Sequence, residues 1–273
     1  MKLENRTIEF KPRAILTHEM MEEIYDFPHR VLGLKYAEYG DGIIAGLNYV
    51  TKEDKIYLTK GIVKLDNEFY FLMEDVNLTE MTETLKDNKL VKAYHFALKE
   101  REAEQEGGVN KKFLELEITE DVTGLIGLGS FFKELSLKLP DISKVEIKNL
   151  YEEFTRRSRF RLLEVPYSDR SGTTFHPYIF SGVKNALKIK KDKNFLDYML
   201  IIEIENHGTV SLETLKIYIA ESGMKLKAEP SRAELFEEFT KALQREMKIA
   251  MPHNVKLESD SYFDDDDEES PLI

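Results

Sequence analysis

The spacing of apolar residues changes near residue 121. Before it, apolar positions alternate or run in short bursts between turn residues; after it, they recur at three- and four-residue steps behind capping residues. In the first stretch Thr17 can cap a helix, HEMMEEIYDF, with Met20, Met21 and Ile24 on one side and acids in the first turn; Pro28 is expected to end it. Tyr39-Gly40-Asp41-Gly42 is turn chemistry, and Ile43, Ile44, Leu47, Tyr49 and Val50 follow with strand propensity. A polar turn at 52–55 leads to Ile56-Tyr57-Leu58, and 61–65 continues that strand or opens another. Asp66-Asn67 is a further turn before the strand EFYFLM (68–73). Strands this closely spaced predict an antiparallel meander. LVKAYHFAL (90–98) and FLELEI (113–118) read as one more strand pair, separated by KEREAEQEGGVNK, an expected exposed and mobile loop. Residues 1–122 are therefore expected to form a β-rich domain that closes as an antiparallel sandwich or barrel.

Beyond that point the pattern predicts a mixed, mainly helical domain over 123–257, giving an α+β chain. GLIGLGSFF (124–132) reads as a glycine-rich hinge or close-packed turn; it lacks the spacing and the Lys-Ser/Thr of a phosphate loop. Ser143-Lys-Val-Glu146 is a capping box, ahead of Ile147, Leu150, Tyr151 and Phe154 on one helical face. Ser231-Arg-Ala-Glu234 is a second, ahead of Leu235, Phe236, Phe239, Leu243 and Met247. Helices are also expected over about 178–190, after Pro177, and over about 212–222, between Ser211 and Gly223. YMLIIEIE (198–205) alternates and reads best as a strand, with a buried helix as the alternative.

Composition narrows the chemistry. The 273 residues include no cysteine, which excludes disulfides, thiolate zinc sites and a cysteine nucleophile. The first residues carry no apolar run and no segment is long enough to span a bilayer, so a soluble, cytoplasmic chain without membrane contact is expected. The net charge of −12 disfavours nucleic acid as a partner. Much of the excess lies in ESDSYFDDDDEESPLI (258–273), an expected disordered tail that either solubilises the chain or docks on a basic surface.

No metal, cofactor or catalytic site emerges from the residue spacing. The histidines, at 18, 29, 95, 176, 207 and 253, offer no i, i+4 pair. PYSDRSGTTFHPY (166–178) crowds Ser168, Asp169, Arg170, Ser171 and His176 together and carries the alternative of a hydrolase. The same residues are the ordinary vocabulary of a turn before a helix, and that reading outweighs the catalytic one. Arg156, Arg157, Arg159 and Arg161, around Phe160, form the strongest basic cluster. It suits either a solvated helix end, an acidic patch on a partner subunit, or the weaker alternative of a nucleic-acid-linked accessory protein.

The order YGDGIIAGL, then KIYLTKGI, then an acidic turn with FYFL, and later AYHFAL (93–98), resembles the amino-terminal β-domain of baseplate proteins of contractile injection systems. It is similar in layout to the TssK adaptor family of type VI secretion and to the shoulder domains of phage receptor-binding proteins, over about the first 100 residues. The resemblance implies a non-enzymatic structural subunit of an injection system or tail-like particle, without cofactor. It also implies a homo-oligomer, a trimer among the candidates, assembling with other baseplate or tail subunits. Gly42, Ile43, Ile44, Gly46 and Leu47, with the four arginines, are the expected contact residues.

Overall fold

The computed structural model describes residues 15, 17–83, 85, 93–102, 112–132, 137–170 and 172–245, and among them the chain is α+β. Thr17 caps helix α1 (His18–Lys35), its hydroxyl accepting from the amide of Met20 at 3.3 Å. Contrary to expectation, α1 does not stop at Pro28. It runs on to Lys35, where the amide of Tyr36 closes the last turn on the carbonyl of Leu32 at 2.9 Å. A proline removes one donor from the helical ladder, and on a largely solvent-exposed helix water can satisfy the freed carbonyl.

The expected strands follow, β1 (Gly42–Gly46), β2 (Tyr49–Lys52), β3 (Lys55–Leu58), β4 (Gly61–Leu65) and β5 (Glu68–Leu72), but they do not form one meander: β1 pairs with β4 and β4 with β5, while the β2–β3 hairpin joins a separate sheet. Their turns are set by local chemistry. Glu53 and Asp54 take φ of 51° and 59°, and Asp66 and Asn67 take 50° and 64°. Paired left-handed residues are the two-residue turn whose twist matches antiparallel strands. β6 (Val76–Asn77) and α2 (Leu78–Glu83) lead to β7 (Ala93–Glu102), which pairs antiparallel with β8 (Lys112–Thr119). The charged stretch starting at Lys99 is thus strand through Glu102, not loop. Arg101 on β7 donates to Glu115 (2.8 Å) and Glu117 (3.1 Å) across the ladder, so these charges stabilise the pairing. Residues 90–92, 103–111 and the acidic tail lie outside the described residues.

GLIGLGSFF is likewise not a hinge. It forms strand β9 (Ile126–Phe132), antiparallel to β7. Gly129, at φ 110°, is needed because a Cβ there would lie 2.7 Å from the ring of Phe160. Ser143 does not open a helix either. Its amide and hydroxyl bond to the carboxylate of Asp141 (3.1 and 2.6 Å), making a turn. The helical segment begins later, as a 3-10 turn over Ile147–Asn149 running into α3 (Leu150–Thr155), with the Asn149 side chain accepting from the Glu146 amide at 2.8 Å.

Short strands β10 (Phe160–Arg161), β11 (Tyr167–Asp169) and β12 (Gly172–Thr174) precede α4 (Pro177–Ile189), α5 (Phe195–His207), α6 (Leu212–Glu221) and α7 (Arg232–Gln244). α5 replaces the expected strand at 198–205. Its ends explain why. Asn194 and Asp197 form a capping box, and Gly208, at φ 74°, closes the last turn on Ile204 at 2.8 Å. A helix apolar nearly all round shows no helical period, and local alternation within it imitates a strand.

The strands make a five-stranded sheet ordered β12-β11-β1-β4-β5, a four-stranded sheet β10-β9-β7-β8 and a three-stranded sheet β2-β3-β6. Residue 122 does not separate them. β11 lies parallel to β1 through Ile43 and Tyr167, and β9 pairs with β7. One buried cluster joins Ile43, Phe96 and Phe131 to Phe180, Phe236 and Phe239.

Candidate functional site

The glycine-spaced strand is committed inside the chain. Ile43, Ile44 and Leu47 are buried in its own core. Gly42 and Gly46 have φ of 144° and 69°, and a Cβ at Gly46 would sit 2.2 Å from the carbonyl oxygen of Lys60. The close backbone approach these glycines allow is therefore to β4 and its preceding loop, and at Gly42 to Pro166. Leu47 itself is held at φ 50°, and its carbonyl accepts from His176 Nε2 at 3.1 Å.

That contact assigns His176. Its Nδ1 accepts from the amide of Tyr178 (3.1 Å), capping α4, so Nε2 carries the hydrogen donated to Leu47. Burial holds the imidazole down at about 4, against a smaller opposing effect from the Leu47 bond. Ser168 donates to the carbonyl of Gly40 at 2.5 Å, and Asp169 accepts from the amide of Leu212 at 3.2 Å. The three groups of the 166–178 segment thus serve separate partners: a hairpin, β11–β12, followed by a helix cap. Ser171 lies outside the described residues.

The arginines diverge as well. Arg156 is exposed beyond the end of α3. Arg157 pairs with Glu152 (3.2 Å) and Glu153 (2.8 Å). Arg161 stacks its guanidinium 4.8 Å over the ring of Phe132. Arg159 lines a cleft of about 490 Å³ together with Asp54, Leu137, Asp141 and Tyr178.

Two polar hubs, one around buried Asp197 and one around half-buried Arg232, leave no pattern in the sequence. Asp197, fully buried, accepts from Lys190 Nζ (2.8 Å) and from the hydroxyl of Tyr218 (2.6 Å), and Lys190 also reaches the carbonyl of Leu243 (3.1 Å). These bonds tie α5 to α6 and α7. Arg232 donates to the carbonyls of Leu163 (3.0 Å) and Val165 (2.8 Å) and to Thr173 (2.9 Å), anchoring α7 under β12. Burial lowers its guanidinium to about 10. Long-range partners of this kind leave no local signal.

Among the described residues, three groupings of exposed apolar side chains stand out. On α1, Met21, Ile24, Phe27, Val31 and Leu34 are exposed, Leu34 at 81%, and no described side chain of the helix is buried. On α5, Phe195, Tyr198, Met199 and Ile202 are exposed at i, i+3, i+4 and i+7 spacing. Between edge strands β5 and β8 lies a cleft of about 350 Å³, lined by Phe69, Leu72, Leu98, Phe113 and Leu116, with Lys112 at its rim 3.7 Å from Glu100. The α1 stripe continues past Pro28, and its spacing of 24, 27, 31 and 34 was the readable signal. Among the described residues no cluster of His, Asp and Glu could hold a metal ion, and no helix is long and apolar enough to cross a membrane. Comparison with known proteins finds no matching family model, no matching curated protein and no matching solved structure.

Proposed function

We propose that this chain is a non-enzymatic structural subunit of a contractile injection system or phage-tail-like baseplate, working as an oligomer beside neighbouring subunits. The observation that carries the reading is α1: an 18-residue helix with an exposed apolar stripe and no buried described side chain. Contiguous exposed apolar stripes mark interaction surfaces, and packing of an apolar face supplies most of a helix's stability in proteins. The β-rich part is read as an open, sandwich-type shoulder. Its five- and four-stranded sheets share one core through Ile43, Val63, Phe96 and Leu128. The hydrolase alternative is weaker because Ser168, Asp169 and His176 are each engaged elsewhere.

Sedimentation velocity on the full chain, alone and mixed with co-encoded proteins, tests the reading. Self-association or a stable mixed complex is expected. A strict monomer that binds none of them overturns it.

A further inference from the structure

We propose that α1 is a self-pairing helix, in which two copies of this chain meet along Met20, Ile24, Phe27, Val31 and Leu34 in antiparallel orientation. The proposal rests on the assembly reading above and names the partner.

The stripe follows steps of four and three residues without interruption. Such a narrow seam is the signature of a helix that packs on another helix. A sheet edge or a broad core would ask for alternation or a wider face. The seam is open from Ile24 onwards, with Met20 half-buried: Phe27 is 61% exposed and Leu34 81%. The helix also contains Pro28 and Gly33, both poor helix formers, so intrinsic propensity does not hold it in place.

Charge selects the partner and its direction. The amino-terminal half carries Glu19, Glu22, Glu23 and Asp26; the carboxy-terminal half carries His29, Arg30 and Lys35. A second copy laid antiparallel puts each acidic half on a basic half, and opposes the two helix dipoles favourably. A parallel copy stacks like on like. Within one helix Arg30 reaches Asp26 at 3.0 Å and His18 reaches Glu22 at 3.0 Å, and these exposed side chains remain free to share a second partner. The pairing would be felt in the β-rich part. Just past α1, the carbonyl of Tyr36 accepts from Lys64 Nζ at 3.1 Å and its ring lies 6.2 Å from Phe69 of β5.

The absence of cysteine makes the test direct. The variants His18→Cys and Lys35→Cys each carry a single thiol, one at either end of α1. Mixed and treated with a short bis-maleimide, they should cross-link mainly as 18-to-35 pairs. Phe27→Glu should weaken self-association about tenfold or more and abolish the cross-link, with the thermal transition of the remaining fold unchanged. Dominant 18-to-18 and 35-to-35 products mean parallel pairing and overturn the proposal. Self-association that survives Phe27→Glu also overturns it, while leaving the assembly reading intact. A monomer that binds co-encoded subunits through α1 overturns only the second-copy assignment; a monomer that binds nothing overturns both.

Discussion

Helices α1 and α5 both turn apolar side chains to solvent, yet only α5 is held from behind. Leu200 and Ile204 of α5 are buried in the shared core, and Asp197 at its first turn is locked by Lys190 and Tyr218. α1 has no such anchor among its described side chains. An exposed stripe on an anchored helix is a surface that a partner can use or leave. An exposed stripe on an unanchored helix is a condition for that helix to persist, because packing supplies most helical stability in proteins.

The largest expected effect lies at the α5 anchor. Asp197→Ala removes the acceptor for a nearly buried lysine and a buried phenol, leaving the Lys190 charge without its carboxylate and bonded to the Leu243 carbonyl. Burial, with the Asp197 carboxylate, already pushes the Tyr218 hydroxyl well above its ordinary value. Breaking a buried pair on one side costs about 3–5 kcal/mol, read as a fall in the urea midpoint. In contrast, Phe27→Ala on α1 should move the monomer's transition by less than about 0.5 kcal/mol. If Asp197→Ala were as mild as that, α5 would be no better anchored than α1.

Acid separates the two regions next. α5 packs beside α4, and α4 is capped by neutral His176. The unfolded chain takes up the imidazole proton near 6.5, whereas burial delays this to about 4 in the folded protein. A depressed histidine leaves the unfolded state with more bound protons between those values. The stability is therefore fully present above pH 6.5 and is lost as pH falls towards 4, about 3 kcal/mol in all. The geometry agrees: a proton added to Nδ1 would face the Tyr178 amide that it now accepts from. Thermal unfolding of the wild type and His176→Asn across this window checks it, with a flatter profile expected for the variant. Equal slopes would remove the histidine as the cause.

The difference between α1 and α5 also marks where the sequence was readable. Turn residues Glu53-Asp54 and Asp66-Asn67 announced their hairpins, and Ser211 and Ser231 announced α6 and α7, because each acts on its immediate neighbours. α5 was hidden by its own apolarity, although Asn194, Asp197 and Gly208 bracket it. On α1 Pro28 reads as a stop, although the apolar spacing and the helix both continue beyond it. The pairing of β11 with β1, and the Arg232 bonds under β12, depend on residues far apart in the chain and have no local pattern.

Pro28→Ala sharpens the contrast from the other side. Alanine in a helix interior is favoured over proline by about 3 kcal/mol, which here falls entirely on α1. The expected outcome is a gain in far-ultraviolet helical signal and slower amide exchange over residues 24–35, with the global transition unmoved. A shifted global transition would show that α1 is coupled to the core after all.

The smallest effect on stability is expected at Ile202→Glu. Ile202 is 53% exposed on the outer face of α5, while its neighbour Ile201 packs against the core. A charge at 202 stays in water and should change stability by no more than about 0.5 kcal/mol, whereas Ile201→Glu forces a carboxylate towards apolar neighbours at a cost of several times that. The two variants differ by one position on one helix, so the pair isolates the outer face. If α5 is a surface that partners use, Ile202→Glu lowers binding of a co-encoded subunit in a pull-down while the melting curve stays put. If binding is unchanged, the outer face of α5 is only tolerated exposure, and α1 remains the contact on which assembly depends.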